Sequence, residues 1–139
     1  AMGDYKVVNL TEGAGASIVI EEFCGGIRHY WDNVDDNGDL LEALSHRYLR
    51  KRAPCAFMRP SKERIDLVVK LAKEFEVDGV IWYQLTYCET YDMESYYFAE
   101  IMKKMDMPML KLESEYDTAE IEQLRTRIET FIEAIKRRK

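Results

Sequence analysis

The sequence predicts an α/β fold: a Rossmann-like, three-layer domain with a small parallel sheet flanked by helices. Three observations carry this. Apolar runs rich in β-branched and aromatic residues at 16–23, 77–85 and 107–113 read as short strands. Stretches with apolar residues at a 3.6-residue period lie around them and read as amphipathic helices. Alternation of the two demands right-handed crossovers, which lay the strands parallel and put helices on the sheet faces.

Taken in order, Tyr5 to Glu12 reads as the end of a helix closed by "GAGA", where Gly13 and Gly15 suit a left-handed terminal residue. "ASIVIEEF" follows as a buried strand centred on Ile18, Val19 and Ile20. Turn chemistry then dominates, with Gly25-Gly26 and the run Asp35, Asp36, Asn37, Gly38. Leu40 to Arg50 carries Leu40, Leu41, Leu44, Tyr48 and Leu49 at helical spacing, and Ala53 to Pro60 is a loop with Pro54 and Cys55. Ser61 is the natural cap of a stronger helix, striped by Ile65, Val68, Leu71, Ala72 and Phe75. "VDGVIWYQL" is the second strand, Met93 to Met105 a helix, and "MPMLKLE" a third strand led by Pro108. Asp117 with Glu120 three residues on forms a capping-box pattern for the last helix.

The chain has 139 residues, enough for one domain with a sizeable core. It opens on a helix and offers three strands, so it is expected to be the terminal domain of a longer protein, cut inside or just before a βαβ unit. Ala1-Met2 reads as an appended start. A net charge of -6 argues against a bulk nucleic-acid binder, and the closing "KRRK" reads as a solvated helix face. No apolar run approaches the roughly 18 residues of a membrane span, and the N-terminus lacks a signal-peptide pattern. Three cysteines with no CxxC spacing do not make a disulfide framework, which points to the reducing cytoplasm.

Parallel topology gives the cysteines a place. Cys24 follows the first predicted strand and Cys88 the second, so both fall on the sheet edge where α/β proteins bind ligands. Cys55 lies in a loop whose height is not fixed by sequence. Three reduced thiols near one edge suggest a thiolate-ligated metal or iron–sulfur site or, more ordinarily on pattern alone, small buried hydrophobes. Other chemistry is thinner. GxGxxG and the P-loop are absent, and "CGG" leads into no long helix. His29 and His46 read as structural or surface residues. The acid pairs Glu89/Asp92 and Glu113/Glu115 serve acid–base work or, more ordinarily, capping and solvation. Tyr83, Tyr87, Tyr91, Tyr96 and Tyr97 either wall a pocket or pack the strand-to-helix corner.

Read together, "DGVIWYQLTYCETYDMESYYFAEIMKKMDMPMLKLESEYD" and "EQLRTRIETFIEAI" resemble the C-terminal part of the 2-hydroxyacyl-CoA dehydratase subunits. That D-component family is shared with benzoyl-CoA reductase subunits. "GASIVIEEFCGGIRHYW" and "RYLRKRAPCAFMRPSKERIDLVVKLAKEF" resemble the same family's third domain, so the likeness spans nearly the whole chain. The family frequently has a lysine before the cysteine and Asp-Pro after it, where this chain has "TYCET".

The resemblance implies a 4Fe–4S cluster held between domains, with Cys88 at the position of the last ligand and Cys24 and Cys55 as further candidates. It implies a radical lyase. One electron from an ATP-dependent iron–sulfur activator forms a ketyl radical on an acyl-CoA thioester, water leaves a 2-hydroxyacyl-CoA, and the electron returns. It also implies a second homologous subunit as partner and anaerobic metabolism as setting. A benzoyl-CoA-reductase-like or non-catalytic electron-relay subunit is the alternative. On this reading the isolated domain, short of cluster ligands, is expected to be inactive and free of iron.

Overall fold

The computed structural model describes residues 5–51 and 62–138. Five α-helices and two strands run in the order α1 (Lys6–Gly13), α2 (Leu40–Ser45), α3 (Lys62–Glu74), β1 (Val80–Leu85), α4 (Glu89–Lys104), β2 (Met109–Ser114) and α5 (Ile121–Lys136). β1 and β2 pair in parallel, Val80 opposite Met109 through to Leu85 opposite Ser114.

Strand alternation sorts the side chains to two faces. Ile81 and Tyr83 of β1, with Leu110 and Leu112 of β2, meet Val7 and Leu10 of α1 and Leu124, Ile128 and Ile132 of α5. On the opposite face Trp82 packs with Ile65 of α3 and with Tyr91, Phe98 and Met102 of α4. These are the three predicted layers, with helices on both sides of a small parallel sheet. Gly79 lets α5 cross the start of β1, because a Cβ there would lie 2.6 Å from Ile135 Cδ1 and 3.0 Å from Phe131 Cζ.

Three helices end in the same hydrogen-bonded device, the Schellman motif. In α1 the Gly15 amide donates to Glu12 and the Ala16 amide to Thr11; in α3 Glu76 donates to Lys73 and Val77 to Ala72; in α4 Asp106 donates to Lys103 and Met107 to Met102. The left-handed residue is Gly15 at φ 79°, but Glu76 at 48° and Asp106 at 53° elsewhere. Gly13, the other glycine of "GAGA", is the last residue of α1.

The expectation that fails is the first strand. Residues 16–23 form no ladder among the described residues, and Ile18 and Val19 are exposed rather than buried. The run lies beside β1 across a gap of about 560 Å³. A short apolar run does not by itself distinguish a strand from extended chain; here the run is anchored at its ends instead of along its length.

Smaller differences have local causes. The helix predicted to run from Leu40 to Arg50 leaves α-geometry after Ser45 and finishes as a π turn, His46–Arg50. That turn buries Arg47, whose Nε donates to the Asp32 carbonyl at 2.6 Å. α4 begins at Glu89, four residues before the expected Met93, because the backbone turns immediately after β1. The N-cap of α5 is Glu120, not Asp117. Asp117 spends its side chain on a local turn, Oδ1 accepting from the Ala119 amide at 3.1 Å. Ser61, Pro54, Pro60 and Cys55 lie outside the described residues.

Candidate functional site

The site is built where β1 ends. Thr86 extends the ladder by donating to the Ser114 carbonyl at 3.1 Å, and the chain then turns sharply. The Cys88 amide donates to Leu85 at 3.0 Å, and the Cys88 carbonyl accepts the first bond of α4, from Asp92, at 2.9 Å. Between them Tyr87 sits at φ 67°, a left-handed conformation that costs a non-glycine residue about 1 kcal/mol or more. The strained turn puts Cys88 at the N-cap of α4, half-buried against the Trp82 cluster, with Sγ 4.0 Å from Thr90 Oγ1.

Cys24 reaches the same corner from the other side. Its Sγ donates to Tyr91 Oη at 3.3 Å, and Tyr91 stands in the first turn of α4. The loop that carries it is folded around Glu21. That carboxylate accepts from the Phe23 and Ile27 amides, both at 3.0 Å, and from Tyr30 Oη at 2.9 Å. Gly26 leaves room for that carboxylate, since a Cβ would fall 2.1 Å from Glu21 Oε2 and displace it. His29 Nε2 lies 2.8 Å from the Cys24 carbonyl.

Behind the two thiols lies a buried ionic cluster. Glu22 contacts Arg64 Nη1 at 2.9 Å and Arg28 Nε at 3.4 Å, and Arg64 Nη2 reaches Glu94 at 3.4 Å. These four side chains are between 1% and 6% exposed, so their mutual attraction works against a large desolvation cost. Burial wins at Glu22, whose pKa is raised despite Arg64 and Arg28. Arg64 also stacks on Tyr91, 4.8 Å from the ring centroid, and burial pushes the Tyr91 phenol well above its ordinary value.

A second polar chain crosses the same sheet face. Trp82 Nε1 donates to Gln84 Oε1 at 3.2 Å, and Gln84 Nε2 donates to Asp92 and to Glu113, both at 3.1 Å. Lys111 donates to Asp92 at 2.5 Å, and its ammonium lies 4.5 Å from the Tyr96 ring centroid. Bonds from Lys111 and then Gln84 hold the Asp92 carboxyl below the usual aspartate range. Asp92 is therefore committed as a carboxylate rather than poised as an acid.

The structure thus brings Cys24 and Cys88 to one corner, while Cys55 lies outside the described residues. No group of three or more His, Cys, Asp or Glu among the described residues could hold a metal ion. Two thiols fit part of a thiolate site but fall short of the three or four that an iron–sulfur cluster takes. Of the tyrosines, Tyr83 and Tyr91 are buried, and Tyr87, Tyr96 and Tyr97 face the surface.

The buried charges were missed from sequence, yet they leave a trace. Arg64 precedes Ile65 on the buried stripe of α3, and Glu94 lies three residues after Tyr91 on that of α4. A charge at an apolar-stripe position is the signal that a buried partner exists. No helix among the described residues is long and apolar enough to cross a membrane.

The chain matches the family model described as 2-hydroxyglutaryl-CoA dehydratase, D-component, over residues 1–135. It is 31% identical over 131 residues to a dehydratase subunit, YjiM, of Escherichia coli (strain K12), covering 94% of this chain. It is 23% identical over 132 residues to the (R)-phenyllactyl-CoA dehydratase beta subunit of Clostridium sporogenes, covering 93% of this chain. The chain spans about a third (34%) of the length of each of these curated relatives.

Proposed function

The chain belongs to the 2-hydroxyglutaryl-CoA dehydratase D-component family, and from that premise we propose that it serves as one domain of an iron–sulfur 2-hydroxyacyl-CoA dehydratase subunit. The net reaction is loss of water from a 2-hydroxyacyl-CoA, in a complex with a second homologous subunit. The relative called a beta subunit supports pairing of unlike subunits. The observation that carries the reading is the convergence of Cys24 and Cys88 on the first turn of α4, at the end of β1. That is the edge where parallel sheets present ligands.

On this proposal Cys88 is one thiolate ligand of a 4Fe–4S cluster, with Cys24 or Cys55 and cysteines outside residues 1–139 as the others. The cluster, when bound, supplies one-electron chemistry after reduction by an ATP-dependent activator. This chain's own residues hold the corner. The Tyr87 turn fixes the direction of Cys88, the Glu21-folded loop fixes Cys24, and Tyr91 joins them.

The test is made on the complete subunit with its partner. Iron and acid-labile sulfide are measured in the native protein and in Cys88→Ala, Cys24→Ala and Cys55→Ala. Paramagnetic resonance then follows the complex with activator, ATP and a candidate 2-hydroxyacyl-CoA. Loss of iron on Cys88→Ala and a thioester-dependent radical support the proposal. Unchanged iron content in Cys88→Ala removes that residue from the ligand set. A cluster that is reduced but never responds to thioester assigns the subunit an electron-relay role instead.

A further inference from the structure

The helical segment 40–50 is built the opposite way round from an ordinary surface helix. Such a helix buries an aliphatic stripe and turns its charges to solvent. Here α2 buries none of its residues, and the π turn His46–Arg50 that continues it buries only Arg47. Arg47 is 2% exposed and its Nε is bonded to the Asp32 carbonyl, whereas Leu41 is 78% and Leu49 80% exposed. Leu40, Leu44 and Tyr48, spaced i, i+4 and i+8, are exposed as well. None of these five apolar residues belongs to either core cluster.

Two features separate this face from single surface leucines, which need no explanation. The segment is pre-shaped, because Asp39 Oδ1 accepts from the Leu41 amide at 2.8 Å and the Glu42 amide at 3.0 Å and so caps α2. It is also short, 6 residues of α-helix and 5 of π turn, below the roughly 12–15 residues at which an isolated helix holds in water. Without a packed apolar face, local bonds and one buried arginine leave it marginal.

We propose that this leucine face is the surface on which the rest of the same subunit packs, the part of the polypeptide that lies outside residues 1–139. The proposal rests on the family reading: the chain spans 34% of the length of its curated relatives, which leaves about two thirds of such a protein to supply the cover. Composition favours the same polypeptide over a separate partner. Permanent contacts resemble a domain core cut in half, whereas the strongest contacts between separately folded partners favour tyrosine and arginine and are poor in leucine. Leu40, Leu41, Leu44 and Leu49 are of the first kind, and the exposed Tyr96 and Tyr97 of α4 are of the second. A segment that needs its cover in order to stay helical is served by a neighbour on its own chain, present at high effective concentration before any partner arrives.

Hydrogen exchange of residues 40–50, read by mass spectrometry, compares the 139-residue chain, the complete subunit alone, and the complete subunit with its partner subunit. The expected result is that amides 43–50 exchange about tenfold or more slowly in the complete subunit than in the 139-residue chain, with no further change when the partner is added. Leu41→Glu together with Leu49→Glu is expected to leave the urea midpoint of the 139-residue chain unchanged, to lower that of the complete subunit and to remove its added protection. If that variant of the complete subunit does not fold, the native comparison decides alone. None of these readouts depends on iron or on turnover, so the result stands whether or not Cys88 binds a cluster. Equal exchange in all three samples overturns the proposal. Protection that appears only with the partner assigns the face to the second subunit and overturns it too. Protection already present in the 139-residue chain does the same, assigning the face to a second copy if it falls on dilution and to the chain's own residues if it does not.

Discussion

Cys24 Sγ lies 3.3 Å from Tyr91 Oη, joining residues 67 apart in sequence at the corner where β1 passes into α4. The bond ties the loop after residues 16–23 to the helix that Cys88 caps. Tyr91→Phe keeps the ring on Arg64 and Trp82 and deletes this contact together with the bond between the same hydroxyl and Arg28. It is expected to cost about 1 kcal/mol and to raise the alkylation rate of Cys24 several-fold. Mass-spectrometric counting of iodoacetamide labelling separates the two thiols. Equal acceleration at Cys88 means that the whole corner has loosened, and the specific link is then wrong.

The ionic cluster predicts an asymmetry between two lysine or arginine pairs of similar appearance. Arg64 is buried with Glu22 and Glu94, whereas the Lys62–Asp66 pair is 77% and 59% exposed. Arg64→Met removes a buried ion-pair partner from both Glu22 and Glu94 and is expected to cost about 3–5 kcal/mol. Lys62→Ala is expected to cost far less, because that pair is solvated. Urea denaturation of both variants checks the ranking, and comparable losses contradict the burial described.

Glu22 and Asp92 give stability opposite dependences on pH. The Glu22 pKa is raised by burial, so the native state holds its proton more tightly than the unfolded chain does. Its contribution is complete below the ordinary glutamate range and is lost as pH rises through the raised value. The Asp92 pKa is lowered by Lys111 and Gln84, so its contribution is present above the ordinary aspartate range and is lost as pH falls. Glu22→Gln should therefore flatten the decline on the less acidic side, and Asp92→Asn the decline below about pH 4. Urea midpoints across the acid range read both slopes. A native profile reproduced unchanged by either variant refutes that assignment.

The layers and the two paired strands were legible because each rests on a periodic pattern or a topological rule. Trp82 and Tyr83 alternate between faces as strand neighbours must, and the stripe of α5 at Leu124, Ile128 and Ile132 is buried as its spacing requires. What was not legible depends on contacts far apart in sequence. Ile18 and Val19 have strand composition, yet composition cannot say whether β1 supplies a ladder partner. Arg64 and Glu22 are 42 residues apart and become a pair only when α3 packs beside the run 16–23. Asp117 has the right spacing to Glu120 for a cap, but the same side chain satisfies a turn one residue pair earlier.

Gly26 predicts a coupled pair. Its missing Cβ leaves room for the Glu21 carboxylate, which in turn orders the loop bearing Cys24. Gly26→Ala should displace that carboxylate and cost about 1–3 kcal/mol, the loss of two backbone amide bonds to a charged acceptor. In a Glu21→Ala background the same change should cost much less, because the clash is gone. A double-mutant cycle measures the coupling. Additive costs mean that the two residues do not act on each other.

The ends of α3 and α4 predict a gain in stability. Glu76 and Asp106 occupy the left-handed position of their Schellman motifs, where Gly15 serves α1 without a Cβ penalty. Asp106 has a compensating contact, its Oδ1 accepting from Arg138 Nη2 at 2.7 Å, so replacing it confuses two effects. Glu76 is the cleaner site. Its side chain is exposed, and a Cβ in this conformation costs about 1 kcal/mol, which outweighs the extra freedom glycine gains in the unfolded chain. Glu76→Gly is therefore expected to stabilise the chain by about 0.5–1 kcal/mol, raising the melting temperature by roughly 2–5 °C. Glu76→Ala, which keeps the Cβ, should give none of that gain. Calorimetry of the two variants side by side decides it, and equal melting temperatures would mean that the backbone at Glu76 is not strained.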